Sequence, residues 1–450
     1  MVRASTDETG GATAAAPALF RAAVRPFREF FELEAASGVV LLAAAAAALA
    51  WANLGDPDAY RAFGDTRFVL GLGGLSAAFT LRQLVNDGLM TLFFFLVGME
   101  IKEELVLGEL RTRAQAALPL VGAVGGMVVP AAVYVALNRG GPGLAGWGVP
   151  MATDIAFAIG VLRLLRSRVP HALVVFVTAL AIFDDIGGIL VIAFFYGHGV
   201  QPVWLAVAVA VAVILAMLGR AGVHGRVPWT LGGLALWVAF HEAGIHATLA
   251  GVVLGLAIPV RSRVPPHDVI GALAHHAEKL AATRSDEELD AGNVRAIERA
   301  LEARQAPLSR FTEALHPWVA FGAMPLFAFV NSGVAVAGLS RDQLAGPVAV
   351  GTALALLLGK PLGIAGFCAA VVRLGLAEIP GGAGWVKLLG VSIVAGIGFT
   401  VALFIAGLAF SDAPGLLEEA KLGILAGSLA AGVLGAVLLL ATPRSAPPAR

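Results

Sequence analysis

Two neighbouring carboxylates, Asp184 and Asp185, stand in the middle of an apolar run from Leu173 to Tyr196. That run is long enough to cross a bilayer, which takes about 20 residues. One Asp at the centre of such a helix costs about 2.5–3.5 kcal/mol on insertion scales. A pair is therefore expected there only if it faces a wet, protein-lined cavity and has a use in it. Neighbours on a helix point about 100° apart, so the two cannot share one face. One can hold a buried counter-ion while the other faces a cation. Oxygen ligands suit a hard ion such as Na⁺ or Li⁺, and a carboxylate at that depth holds a proton or an ion, not both. Competition of H⁺ and a small cation for the same oxygens is the simplest exchange such a pair allows.

Other residues extend this chemistry. Lys360, in Gly359-Lys360-Pro361-Leu362-Gly363-Ile364, lies near the middle of the apolar segment 347–372. Snorkelling to an interface from there would be strained, so pairing with Asp184 or Asp185 is expected. Thr153-Asp154 interrupts a short block that runs from Gly148-Val149-Pro150 to Gly160, and a second interrupted block holds Gly396-Ile397-Gly398-Phe399-Thr400. Gly/Pro-interrupted spans in corresponding halves of a chain point to broken helices at the membrane midplane, where transporters bind ions. Unwound backbone survives in hydrocarbon only where it lines such a site. Asp87, Glu100, Lys102, Glu103, Glu104, His246, Glu313 and His316 are further polar residues grouped with the cytoplasmic ends of spans. Glu100 and Glu104, four apart on one helix face, could line a funnel that attracts cations.

The elements that must position these groups are apolar helices. The chain has 450 residues, 58% of them hydrophobic and 14% charged, against about 25% charged in a soluble globular protein. The excess falls in repeated blocks, the pattern of an all-α polytopic membrane protein. Twelve candidate spans lie near 35–54, 84–106, 115–138, 150–165, 171–196, 203–219, 229–243, 245–260, 314–337, 347–372, 387–410 and 418–441. With a cytoplasmic N-terminus, the inside segments collect most of the Lys and Arg. The outside ones hold only Arg61, Arg67, Arg82, Arg139, Arg341 and Lys421, so the positive-inside rule supports twelve spans with both ends inside. The expected layout is a cytoplasmic tail over 1–34, helices 1–8 over 35–261, a charged cytoplasmic loop over 262–313, helices 9–12 over 314–441 and a tail over 442–450. Zero formal net charge suggests no nucleic-acid partner, and the lone Cys368 permits no internal disulfide.

Two loops carry patterns of their own. Within 262–309, Val294, Ile297, Ala300 and Leu301 recur at helical spacing among charges, which predicts a surface helix. His275-His276 in the same loop lacks a third metal ligand nearby and reads as a solvated face. In the outer loop 55–83, two short runs flank Gly71-Leu72-Gly73-Gly74. A small β-hairpin and a flexible loop both fit that pattern.

Taken together, these segments resemble the NhaA-type bacterial Na⁺/H⁺ antiporters, which are standard examples of inverted-repeat transporters with broken helices. The resemblance rests on Phe93–Glu100, Gln115–Pro119, Pro150–Ala158, Ala179–Asp185, His246–Gly251, Leu315–Val319, Pro325–Phe329, Gly359–Ile364 and Gly396–Thr400, in family order from about residue 35 to 440. It implies about twelve transmembrane helices with inverted-topology repeats and crossed, broken fourth and eleventh helices. It implies electrogenic export of one Na⁺ or Li⁺ for two protons, driven by the proton gradient at the bacterial inner membrane, without a cofactor and without enzymatic activity. By the same resemblance Asp184 and Asp185 are the ion-binding carboxylates, Asp154 beside Thr153 offsets the dipole ends of the broken helices, and Lys360 is the membrane lysine. Glu100, Glu104, Glu313, His316 and His246 match pH-response positions. The outer hairpin, aligned with 66–79, would join two subunits.

Three features depart from the family pattern: Glu103 where a basic residue is usual, Ala314 where a histidine often follows the glutamate, and the length of the 262–309 loop. All touch the regulatory face and not the ion site. A Na⁺-coupled solute symporter would need a roomier polar cavity. A cation channel would show filter repeats or carboxylate rings. A non-transporting membrane sensor would not need Lys360 and two aspartates at midplane depth.

Overall fold

The computed structural model describes residues 36–72, 75–108, 113–197, 199–223, 225–261, 305–336 and 345–444, with single positions between 270 and 278. The N-terminal arginines, the surface helix expected around Val294–Leu301, His276 and Arg341 lie outside the described residues. The described chain is almost entirely helical. In order it forms α1 (Ala36–Leu54), α2 (Pro57–Gly64), β1 (Arg67–Leu72), β2 (Leu75–Thr80), α3 (Leu81–Val106), α4 (Arg113–Leu137), a 3₁₀ segment (Pro142–Met151) leading into α5 (Ile155–Leu164), and α6 (His171–Phe195). There follow α7 (Pro202–Ala221), α8 (Arg226–Glu242), α9 (Leu249–Ala257), α10 (Pro307–Ser332), α11 (Pro347–Arg373), α12 (Trp385–Val394), α13 (Phe399–Ala409) and α14 (Pro414–Leu440).

Among the described residues, eight of these helices are long and apolar enough to cross a membrane. Two further pairs pass the same test together but bend at a short break, by 44° between Pro142–Met151 and α5 and by 48° between α12 and α13. The chain is therefore a multi-pass helical membrane protein. The sequence count of twelve also included α8, with 17 residues, and α9, with nine, and both fall short of that length. At about 1.5 Å per residue, α9 reaches less than half of a bilayer core. Large apolar side chains such as Val209, Ile214, Leu362, Leu429 and Val437 point outward on the long helices, as a lipid-facing surface requires.

Without a hydrophobic drive between helices inside lipid, close packing depends on small residues. Where α3 meets α9, a Cβ on Gly98 would fall 2.7 Å from the Val252 carbonyl oxygen, and one on Gly255 would fall 2.7 Å from the Met99 nitrogen. The two backbones touch because nothing larger than hydrogen separates them. Lys102 then donates to the Leu256 carbonyl at 2.8 Å and to that of Ile258, setting a cation over the last carbonyls of α9.

Prolines shape the long helices. In α11 the Lys360 amide bonds back five residues to Ala355, through a π turn, directly before Pro361. In α10 the Met324 amide does the same to Val319, directly before Pro325. Each proline removes one i→i−4 bond and crowds the preceding turn, and the widened turn absorbs it without ending the helix.

At the other end of α10, Tyr60 donates to the Phe329 carbonyl at 2.7 Å and accepts from the Gly333 amide at 3.0 Å. Burial raises the Tyr60 pKa above its ordinary value. Arg82 donates to Val330 at 3.2 Å, and Asn53 to Val334 at 2.7 Å. These side chains satisfy the carbonyls that a helix C-terminus leaves open. Strands β1 and β2 pair antiparallel, Arg67 opposite Thr80 and Leu72 opposite Leu75. Thr80 then opens α3 with a reciprocal capping box to Gln83.

Candidate functional site

The two bends lie side by side. Ala152 and Asp154 have extended backbone, so the 3₁₀ segment and α5 are separated by a non-helical link. The Asp154 amide donates to the Ile397 carbonyl at 2.7 Å, and the Thr153 hydroxyl lies 2.9 Å from the Ala395 carbonyl. Each break thus satisfies backbone groups of the other, which hydrocarbon surroundings demand.

Asp154 serves two helices at once. Its Oδ1 accepts from Phe157 N at 3.1 Å, capping α5. Its Oδ2 accepts from Thr400 N at 3.1 Å and from the Thr400 hydroxyl at 2.5 Å, at the start of α13. A carboxylate at two helix N-termini meets two positive dipole ends. The Ser428 hydroxyl on α14 accepts from two more amides of that end, Gly398 N and Phe399 N, both at 3.2 Å.

Midway along α6, Asp184 reaches this junction. Its Oδ2 receives Lys360 Nζ at 2.5 Å and lies 2.7 Å from the Thr153 hydroxyl. Lys360 also donates to the Met151 carbonyl, the last residue of the 3₁₀ segment. The widened turn before Pro361 lies immediately ahead of this lysine, so the proline-driven distortion of α11 falls where the cation must reach in. Thr153, Asp154, Asp184, Asp185 and Lys360 are all buried, none more than 5% exposed. Two carboxylate oxygens, Asp184 Oδ1 and Asp185 Oδ2, are buried without any hydrogen bond. Buried polar atoms in native proteins nearly always have a partner. Buried carboxylate oxygens left without a partner are what a small hard cation, or a proton, would bind.

A cavity of about 1020 Å³ opens beside α6 between α1, α3, α5 and α10. Ser37, Glu100, Glu103, Glu104, Arg163, Thr178 and His316 are among its lining residues. It touches Ile182 on α6, one turn from Asp185.

Residues 28–439 match the family model described as Na⁺/H⁺ antiporter 1. The chain belongs to that family. A protein of Anaeromyxobacter sp. (strain Fw109-5) named Na⁺/H⁺ antiporter NhaA is 59% identical over 441 residues, 98% of this chain and 96% of its own. One from Myxococcus xanthus (strain DK1622), named Na⁺/H⁺ antiporter NhaA 1, is 52% identical over 433 residues, 96% of each chain. The NhaA of Pseudomonas putida (strain GB-1) is 44% identical over 413 residues, 91% of this chain and 95% of its own.

In this member of the Na⁺/H⁺ antiporter 1 family, the residues singled out by sequence fall into three places. Asp184, Thr153 and Lys360 form one hydrogen-bonded group, with Asp185 next to it on α6, and Asp154, which follows Thr153 in the chain, bonds instead to Phe157 and Thr400. Lys360 pairs with Asp184, a choice that the sequence left open. Glu100, Glu104 and His316 line the cavity, whereas Glu313 is exposed on α10 and is not part of that lining. His246 sits apart, its Nδ1 3.1 Å from the Thr248 hydroxyl and its ring edge-on to Phe404. Grouping Asp87 with the cytoplasmic-end residues was wrong. It lies in the first turns of α3, some 17 residues and about 25 Å of helix from Glu104, where Trp237 donates to its carbonyl at 3.4 Å.

Sequence reasoning did not select Thr400, Ser428 or Arg163 as site residues. Thr400 and Ser428 were visible as hydroxyls within apolar blocks, which is a faint signal. Arg163 enters the sequence reading only as one of the positive charges on the cytoplasmic side.

Proposed function

We propose that this chain is a secondary transporter exchanging Na⁺ for H⁺ across the membrane, and not an enzyme. Family membership and relatives named as Na⁺/H⁺ antiporters at 59% and 52% identity support the exchange. The observation that carries the site assignment is the pair of unsatisfied oxygens, Asp184 Oδ1 and Asp185 Oδ2, beside Lys360 at the junction of two bent spans. In the exchange, Na⁺ or Li⁺ as substrate takes these oxygens, with the Thr153 hydroxyl beside them. Asp185 gives up a proton to admit the cation. Asp184, now neutralised by the cation, no longer needs the ammonium of Lys360, and a second proton leaves from that pair. Two protons move inward for each Na⁺ moved outward, a net transfer of one positive charge per cycle. Asp154 stays bound to both helix ends and holds the breaks in register while its neighbours change partners.

The rest of the reading follows from this core. With α8 and α9 counted as short spans, the eight long helices and two bent pairs make twelve, and the bent pairs become the fourth and eleventh. These are the crossed helices of an inverted-repeat fold, with both termini, the 1–34 and 442–450 tails and the 262–313 loop on the cytoplasmic side of a bacterial inner membrane. Glu100, Glu104, Glu313 and His316 on the cytoplasmic side, with His246 nearer the outside, set the response to pH. The antiporter works without a cofactor, and the paired strands over 66–79 join two copies into a homodimer.

Proteoliposomes with an imposed pH gradient provide the test. Added Na⁺ or Li⁺ is expected to release luminal protons, and K⁺ to release none. Equal release by K⁺ and Na⁺ would overturn the assignment of a dehydrated small-cation site.

A further inference from the structure

We infer that Ser428, on the last helix, is a positioning residue for the ion site. It acts through the second break, and the inference rests on the exchange proposed above. The N-terminus of a helix leaves its first amides without intrahelical partners, and inside hydrocarbon each must find one. At the start of α13 three consecutive amides find side-chain partners. Gly398 N and Phe399 N donate to Ser428 Oγ at 3.2 Å each, and Thr400 N donates to Asp154 Oδ2 at 3.1 Å. Ser428 is 6% exposed and stands where α14 crosses the break. Its neighbour Gly427 lies against α11, where a Cβ would fall 3.0 Å from Ala353 Cα. Gly396 in the break faces the Leu356 carbonyl of the widened turn ahead of Lys360, and a Cβ there would fall 2.5 Å away. The hydroxyl therefore sits on helices that also frame Lys360.

The division of labour has an electrostatic consequence. A neutral oxygen takes two of the three amides, so Asp154 meets only the third and keeps Oδ1 for Phe157. Remove the hydroxyl and the two freed amides compete with Thr400 N for the Asp154 carboxylate, the acceptor already bonded at that helix end. That competition draws Asp154 toward α13 and away from α5. Thr153 moves with it, because Thr153 and Asp154 are consecutive and Thr153 is bonded to Asp184. The hydroxyl of Ser428 thus fixes the cation site without touching the cation.

The buried hydroxyl of Ser392 does not have this arrangement. Ser392 on α12 is 1% exposed, and its hydroxyl returns to its own helix at Leu388 O, 2.7 Å away. It provides the control. In proteoliposomes, Ser428→Ala is expected to raise the apparent KM for Na⁺ about five- to tenfold, as loss of partners for buried amides implies. Maximal exchange should stay within about twofold and the pH profile should shift, because the site and not the transport cycle is disturbed. Ser428→Thr, which keeps the oxygen, is expected to restore KM to within about twofold of wild type, and Ser392→Ala to leave it there. Ser428→Cys, a weaker acceptor, should fall between, and it carries the test should the alanine variant fail to fold. The inference is overturned if KM is unchanged in Ser428→Ala or Ser428→Cys, if the threonine variant is as impaired as alanine, or if Ser392→Ala behaves like Ser428→Ala. Wild-type protein that shows no Na⁺-dependent exchange would instead overturn the proposed function, so the two failures are distinct.

Discussion

Asp184 Oδ2 receives the Lys360 ammonium and the Thr153 hydroxyl, while Asp184 Oδ1 and Asp185 Oδ2 receive nothing. This asymmetry makes a strong prediction for Lys360→Ala. Removing one partner of a buried ion pair strands the other charge, at a cost of about 3–5 kcal/mol. The variant is expected to unfold at a clearly lower temperature in detergent, and Lys360→Ala combined with Asp184→Asn to recover much of the loss. Equal stability of wild type and the single variant would show that the pair contributes nothing to the fold. At this scale the sequence was informative where a charge stood in hydrocarbon, since Asp184, Asp185, Asp154 and Lys360 each had to be explained. It could not choose the partner of Lys360, because that depends on the rotation of α6 against α11. Nor could it find Ser428. A serine in a helix commonly bonds to its own preceding turn, as Ser392 does, and only the crossing of α14 over the break distinguishes the two.

Elements meet here through glycine faces and proline-widened turns. Gly98→Ala puts a methyl 2.7 Å from a backbone oxygen of α9, so the helices must separate, at a cost of about 1–3 kcal/mol. Gly366→Ala in α11, where an added Cβ meets nothing within 4 Å, is expected to be neutral or to stabilise by up to about 1 kcal/mol. Thermal unfolding of the two variants side by side checks the pair, and equal melting temperatures would contradict the tight α3–α9 contact. The long apolar blocks were legible because their length alone defines them. The spans assigned to α8 and α9 were less so, since α9 is nine residues and is held by Lys102 from α3. The π turns ahead of Pro325 and Pro361 were not visible, because a proline in a helix reads equally as a kink.

For the molecule as a whole, the proposed cycle moves net charge and the proposed assembly is a dimer. Exchange should generate a membrane potential, positive on the side that receives protons, and should accelerate when valinomycin and K⁺ dissipate it. Rates insensitive to valinomycin would contradict two protons per Na⁺. Deleting residues 66–79 is expected to leave Na⁺-dependent exchange and abolish cross-linking between copies. Retained cross-linking would place the subunit contact elsewhere.

The central claim is that Na⁺ and H⁺ compete for the oxygens of Asp184 and Asp185. Its most direct test is the proton release that follows Na⁺ addition to purified protein in weakly buffered detergent, wild type beside Asp185→Asn. Wild type is predicted to release close to two protons per bound Na⁺, and Asp185→Asn to release none at any pH at which the wild type responds. Undiminished release from Asp185→Asn would contradict the account.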